Sequence, residues 1–438
     1  MISLIEPKNQ TKVTSITYYQ GFLAIAAILV FFTRLDIYLA NNYGFLIPLY
    51  WMLGFLLASC PLWLSLLHRL NSLSKPLLIW SGIYIAVSFV SILVQPILPK
   101  QQYLEDQYRT IIFLLLMLGI FADHPLVTKW IRLTIMSVTL INVGMFVYEF
   151  FNPSAFYLEQ RAPGRSAGFY EDSNTAGIAL VLGMILAIDL IKPKYRLLYA
   201  LFIFIGLAPT FSRGAIVGWV VVVALLMIKK TIPRYQMPLF LVFFLVIISI
   251  LSTQINNLKY LKGSDGKELF QQDTLARVEF LIDPLAQKDD SKASREDHVK
   301  VAWKKFVRHP FIGNGLGSGE NTATLSQTGV AQRSHNTYLD QMVEFGFLGA
   351  LMFPLLLLAC VWKAQGEFKK QAIAFVIFLL AQGFFSHTLM NEFCSLMTYC
   401  MMANLAKHSS VKSVKKVPAI ETDEFLDSLY FPDVKGVN

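Results

Sequence analysis

The residues with most chemistry to offer lie in short polar stretches between apolar runs. In Arg333-Ser-His335-Asn336-Thr-Tyr-Leu-Asp340 a histidine stands just ahead of such a run. An imidazole with an ordinary pKa of about 6.5 exchanges protons near neutral pH. Asp340 and Glu344 follow four residues apart, on one face of a helix, where carboxylates orient a neighbouring group or bind sugar hydroxyls. A single histidine is also readily structural, and spacing alone leaves both readings open. Ser334 beside His335 makes a poor nucleophilic pair, because adjacent side chains diverge. His298, His309 and His335 lack the spacing of zinc ligands.

Two arginines and a glycine run extend this set. Arg213 sits in Pro209-Thr-Phe-Ser-Arg213-Gly, which interrupts an apolar stretch from Leu197 to Ile228 that is long for one membrane span and short for two. At about 1.5 Å per residue the two limbs reach roughly 21 to 23 Å, so the turn is expected below the outer surface. A guanidinium at that depth is usually functional; the alternative is an arginine snorkelling from a loose loop. Arg295 falls in Ser294-Arg-Glu-Asp297, which reads as a capping box opening an amphipathic helix with Val299, Ala302, Trp303 and Phe306 on one face, ended by His309-Pro310. A cation in the first turn opposes the helix dipole, so stability gives no reason for it, and function and plain solvation both account for it. Gly313-Asn-Gly-Leu-Gly-Ser-Gly319 fails as a dinucleotide fingerprint: Ser318 takes the last glycine's place and no βαβ unit surrounds it. Tight turns beneath a docked loop, letting a sugar approach the backbone, fit better. The loop from Asn152 to Asn174 adds Arg161, Arg165, Glu171 and Asp172.

The elements that must position these residues are membrane helices. Hydrophobic residues make up 55% of the 438 and charged residues only 15%, which excludes an ordinary soluble domain. The sequence predicts an all-α polytopic membrane protein of about twelve transmembrane helices. These run approximately over Tyr18–Tyr38, Gly44–Leu67, Leu77–Leu98, Thr110–Ala122, Leu133–Phe151, Thr175–Ile191, Leu197–Phe211, Gly214–Ile228, Met237–Leu251, Tyr338–Trp362, Gln371–Phe385 and Phe393–Leu405. Lys8 and Lys12, then alternate connections from Arg69 and Lys75 to Lys369 and Lys370, then Lys407 to Lys416, carry the basic clusters. Basic loops stay in the cytoplasm, so both termini are expected there. The organisation is then residues 1–251 as nine helices, 252–337 as one large helical loop on the opposite side, 338–405 as three more helices and 406–438 as a cytoplasmic tail, acidic beyond Lys416. The first apolar run lacks a cleavage site and is expected to stay as a signal anchor. The net charge of +9 is spread over these short loops, which argues orientation in the membrane and against nucleic acid. Cys60, Cys360, Cys394 and Cys400 sit in or beside apolar runs and read as core residues.

Arg165-Ser-Ala-Gly168-Phe-Tyr-Glu-Asp-Ser-Asn174, Thr210-Phe-Ser-Arg213-Gly-Ala, and the run from Arg295 through Trp303 and His309-Pro-Phe-Ile-Gly-Asn-Gly315 to His335-Asn-Thr-Tyr-Leu resemble, in order and wording, the O-antigen ligase and polysaccharide polymerase superfamily. The resemblance covers roughly Arg161 to Gly349 and lies in the ordered set rather than any one piece. It implies a GT-C-like enzyme of the bacterial inner membrane with its active site on the periplasmic face. It further implies a glycan moved from undecaprenyl diphosphate to an acceptor hydroxyl, with inversion and without metal or cofactor. Arg213 and Arg295 would hold the lipid diphosphate and His335 would activate the acceptor. Arg165 and Arg161 are further anion-binding candidates, and Asn336, Asp340 and Glu344 further substrate-binding ones. Membrane lipids are the other expected partners. The large loop and its short His-Asn-x-Tyr-Leu motif favour a ligase acting on lipid A–core over a polymerase extending lipid-linked repeats; protein O-oligosaccharyltransferases are a third branch. A flippase or transporter fits less well, because such proteins keep their charges near the bilayer midplane.

Overall fold

The computed structural model describes residues 14–67, 73–94, 101–122, 124–156, 164–258, 260, 262, 275, 290–319 and 333–414. Its regular elements are helices. They are α1 (Ser15–Ala27), α2 (Leu35–Tyr43), α3 (Pro48–Ala58), α4 (Cys60–Leu67), α5 (Lys75–Val94), α6 (Gln101–Ile120), α7 (Pro125–Phe151), α8 (Ser173–Ala187), α9 (Arg196–Leu207), α10 (Arg213–Ile228) and α11 (Met237–Leu258). After the large loop begins come α12 (Asp290–Arg308), α13 (Thr337–Phe345), α14 (Phe347–Val361), α15 (Gly366–Gln382) and α16 (Phe393–Val414). The apolar segments Ser15–Phe32, Lys75–Leu93, Pro125–Phe151 and Ser173–Leu190 are long enough to cross a membrane; Pro48–Ala58, Arg213–Ile228, Arg234–Ile247 and Phe347–Val361 are apolar but shorter. The chain is a multi-pass helical membrane protein.

Several predicted helices are divided, each for a local reason. The first does not run unbroken from Tyr18 to Tyr38: α1 widens into a π-helical stretch at Ile28–Phe32 and stops at Arg34, whose backbone is left-handed (φ 63°). Thr33 secures this break, its hydroxyl donating to the Leu29 carbonyl (2.5 Å) and accepting from the Leu35 amide (3.2 Å). The segment predicted over Tyr338–Trp362 is α13 and α14, parted at Gly346. That glycine has φ 68°, and a Cβ there would collide with the Phe311 carbonyl. α6 begins at Gln101 rather than Thr110, because its first turns (QQYLEDQYR) are polar and an apolar-run criterion passes over them.

α8 is the axis of the core. Every residue in it except Asn174 is buried, and it packs on α7, α9, α10, α15 and α16. Gly177 lets the first turns of α8 press against Leu207, Ser212 and Ala215, so α8 fixes where α9 turns into α10. In the same way Gln382 at the end of α15 donates to the Gly214 carbonyl at 2.8 Å. The turn that carries Arg213 is therefore gripped from two sides.

Candidate functional site

The α9–α10 turn starts where α9 ends at Leu207. A 3₁₀ turn over Ala208–Thr210 follows, then Phe211 with φ 47°, and α10 opens at Arg213. The Arg165 loop docks on this turn: the Ser166 amide donates to the Pro209 carbonyl (2.9 Å) and Arg165 Nε to the Thr210 carbonyl (2.9 Å). Glu149 holds the loop from behind, accepting from the amides of Ala167 and Gly168 at 2.7 and 2.6 Å. Two predicted anion-binding residues, distant in sequence, thus meet at one turn, with the amides of an α10 N-terminus beside them. That combination attracts negative charge.

His335 lies in the bend before α13 with φ 54°. Three contacts staple its loop to the turn between α15 and α16: the Thr337 amide donates to the carbonyls of Gly383 (2.8 Å) and Ser386 (2.9 Å), and its hydroxyl donates to Ser386 again (2.5 Å). The staple brings His335 against His387, ring centroids 5.0 Å apart and edge-on at 76°. Both line a cavity of about 270 Å³ whose walls also carry Arg34, Glu171, Asp172 and Glu392. Burial, then the neighbouring His335 and Arg333, push His387 down to about 3, so it is neutral.

The cavity is joined to the cationic turn through Asn174. This residue lines the cavity, accepts from Arg165 Nη2 at 3.0 Å, and donates to Asp172 at 3.2 Å. Also lining the cavity, Arg34 donates to Glu392 at 2.9 Å and lies 3.8 Å from Asp36. Burial opposes the Arg34 charge, but Glu392 and then Asp36 outweigh it and hold the guanidinium above its ordinary value. Burial pushes Asp36 up to about 6, with Arg34 opposing.

Asp340 and Glu344 are buried on α13, which is short and polar and is not one of the apolar segments above, and Asn336 stands half-buried at its N-terminus. Asn336 caps it, accepting from the Leu339 amide at 3.1 Å. Asp340 Oδ1 accepts from the Ser334 hydroxyl at 2.5 Å, and its Oδ2 is buried without a partner among the described residues. Burial lifts its carboxyl to about 6 against the pull of Ser334 and Arg333. Glu344 accepts from the Gly317 amide (3.2 Å) and lies 3.9 Å from Arg333. Both carboxylates therefore orient the His335 loop and the glycine run rather than line the cavity. The glycines make the expected tight turns: Gly313 and Gly317 have φ 82° and 81°, and a Cβ on Gly313 would strike the backbone of Glu344.

α12 differs from the expected helix. It begins at Asp290, so Ser294 is not its cap and Arg295 is not in its first turn. Its buried row is His298, Ala302 and Phe306, whereas Val299 and Trp303 are exposed. Arg295 belongs to α12 by backbone, but its side chain, like Arg161, lies outside the described residues. Arg34, His387 and Glu392 were not among the sequence candidates. Their signal was available as polar residues inside or between apolar runs, Arg34-Leu-Asp36 and Ser386-His-Thr-Leu-Met-Asn-Glu392.

Among families of known proteins, residues 197–354 match the model described as O-antigen ligase. No curated protein matches the chain.

Proposed function

A chain whose residues 197–354 carry the O-antigen ligase domain stands in the O-antigen ligase and polymerase superfamily, and from that premise we propose that it transfers a glycan from a lipid diphosphate to an acceptor hydroxyl. The observation that carries the reading is the junction at Asn174, where the Arg165 loop, docked on the turn that bears Arg213, adjoins a cavity bearing His335. Guanidinium groups bind phosphate oxygens in pairs of hydrogen bonds and keep their charge, so Arg213 and Arg165, with Arg295 from α12, hold the diphosphate. The acceptor hydroxyl enters the cavity and gives its proton to His335. Its oxygen attacks the anomeric carbon as the bond from that carbon to the phosphate oxygen breaks, and the lipid diphosphate leaves with the electron pair. Attack opposite the leaving group inverts the anomeric centre. The arginines stabilise the charge that develops on the leaving diphosphate, the role a divalent cation has in other transferases.

In this reading the donor is an undecaprenyl-diphosphate-linked glycan, the acceptor is lipid A–core, and the site opens on the periplasmic face of the inner membrane with both termini in the cytoplasm. The sequence favours the ligase over a polymerase through its single large loop. Deleting the gene separates the two: accumulation of complete lipid-linked polymer is the ligase outcome, and accumulation of single repeat units is the polymerase outcome. Transfer by purified protein in lipid, with a chelator present, tests the chemistry. Loss of wild-type transfer on chelation overturns the metal-free mechanism.

A further inference from the structure

α12 has two apolar faces, and only one is covered. The row His298, Ala302, Phe306 is buried, with Ala302 and Phe306 packed on Leu339 and Val343 of α13. The next row, Val299, Trp303 and Val307, is 38%, 52% and 56% exposed. The uncovered row does not end with the helix. Phe311 and Ile312 continue it at 78% and 56% exposure, and Phe347, Leu348 and Leu351 extend it along α14. The rings of Phe306 and Phe311 lie 5.1 and 6.0 Å from that of Phe347, so the surface is continuous from the loop helix onto α14. α14 is one of the apolar helices of the bundle, and exposed apolar side chains on such a helix are suited to lipid. A patch that continues them meets the same lipid.

Charge supports the same occupant. Lys300, Lys304 and Arg308 form an exposed row one residue on from Val299, Trp303 and Val307, and so run alongside it. The only exposed acid paired with this row among the described residues is Asp297, 3.5 Å from Lys300. An apolar row beside a basic one is how a helix lies in the plane of a bilayer surface: the apolar row sinks to the acyl boundary, and lysine and arginine reach headgroup phosphates. Tryptophan favours that depth.

We infer that α12 is an interfacial helix, seated on the bilayer beside α14 with lipid acyl carbon against Val299, Trp303 and Val307 and lipid phosphate against Lys300, Lys304 and Arg308. The seat would hold α13, and through it the His335 loop, at headgroup level.

Trp303 itself reports on this. The full chain is reconstituted in phosphatidylcholine bilayers with and without phosphatidylglycerol, and the emission of Trp303 is obtained as wild type minus Trp303→Tyr. The expected signal is quenched by bromines placed near the headgroup end of the acyl chains more than by deep ones, and is several-fold less sensitive to aqueous iodide than free tryptophan. Iodide quenching equal to that of free tryptophan, with no quenching by bromine, overturns the inference and leaves the patch to water. Absence of both kinds of quenching overturns it in favour of a protein partner. Substituting Lys300, Lys304 and Arg308 together by Gln should abolish any gain in bromine quenching from phosphatidylglycerol. If the gain persists, the basic row does not contact lipid phosphate and that part of the inference fails. None of these readouts depends on glycan transfer, so they stand apart from the proposed reaction.

Discussion

The two halves of the candidate site are built for opposite charges. The α9–α10 turn and the loop docked on it gather Arg213 and Arg165 around a helix N-terminus, while the cavity next to it gathers Glu171, Asp172 and Glu392, with Arg34 as its one lining arginine among the described residues. A diphosphate belongs with the first and is repelled by the second. Hydroxyl groups, which both donate and accept, belong with the second. A transferase needs this division, because its anionic leaving group and its proton-losing acceptor must sit side by side without exchanging places.

Substitutions that touch one half only should break the comparison cleanly. The largest effect is expected for His335→Ala: transfer slowed by roughly 10²- to 10⁴-fold, as for loss of a general base, with binding of the lipid-linked donor retained. Normal transfer by this variant would remove His335 from the mechanism. Arg213→Lys keeps the charge but loses the planar fork, so transfer and donor retention should both fall, by roughly 10- to 100-fold. Membrane insertion should be unchanged. Donor binding is measured apart from transfer, and wild-type behaviour of the lysine variant would reduce Arg213 to a snorkelling side chain.

A smaller effect falls on the scaffold. Ser334→Ala deprives buried Asp340 of its 2.5 Å hydrogen bond, which should lower stability by about 1–3 kcal/mol. The thermal midpoint in lipid reads this. Donor affinity should not move, and an unchanged midpoint would show that Asp340 does not depend on that bond.

How much of this was legible in the sequence follows from the range of the interactions. Apolar runs and their lengths are local, and each predicted helix has a helical counterpart. The break at Arg213 was legible for the same reason, since a polar turn interrupts the apolar stretch there and α10 opens at that residue. Tertiary pairings were not. Arg34 meets Glu392 across 358 positions, and neither residue carries a local mark of the other. The Arg34 break also looks, by composition, like the middle of one helix. His387 was invisible as a partner because the staple from Thr337 to Ser386 is made of backbone carbonyls, whose direction side-chain spacing does not encode. On α12 the expected face merged two apolar rows, and only the packing of Ala302 and Phe306 on α13 decides which is buried.

The finest distinction between the halves is a dependence on pH. His387 is held at about 3, against an ordinary value near 6.5. Below about 6.5 the unfolded chain binds a proton there that the folded chain refuses. Stability from this group is therefore full above pH 7 and falls as pH drops, by about 2 kcal/mol at pH 5. Asp36 and Asp340, both lifted to about 6, act in the opposite direction. Each folded carboxyl holds its proton more tightly than the unfolded one, so they add stability as pH falls from 6 toward 4. The wild-type profile sums these terms with those of other groups, and His387→Phe isolates the histidine by keeping a ring against His335 while removing the titrating group. The expected result is that the variant gains on the wild type steadily as the thermal midpoint is followed from pH 7 to pH 4.5. Parallel profiles for the two proteins would mean that His387 takes up its proton in the folded state as readily as in water, and that the cavity is wetter than its walls imply.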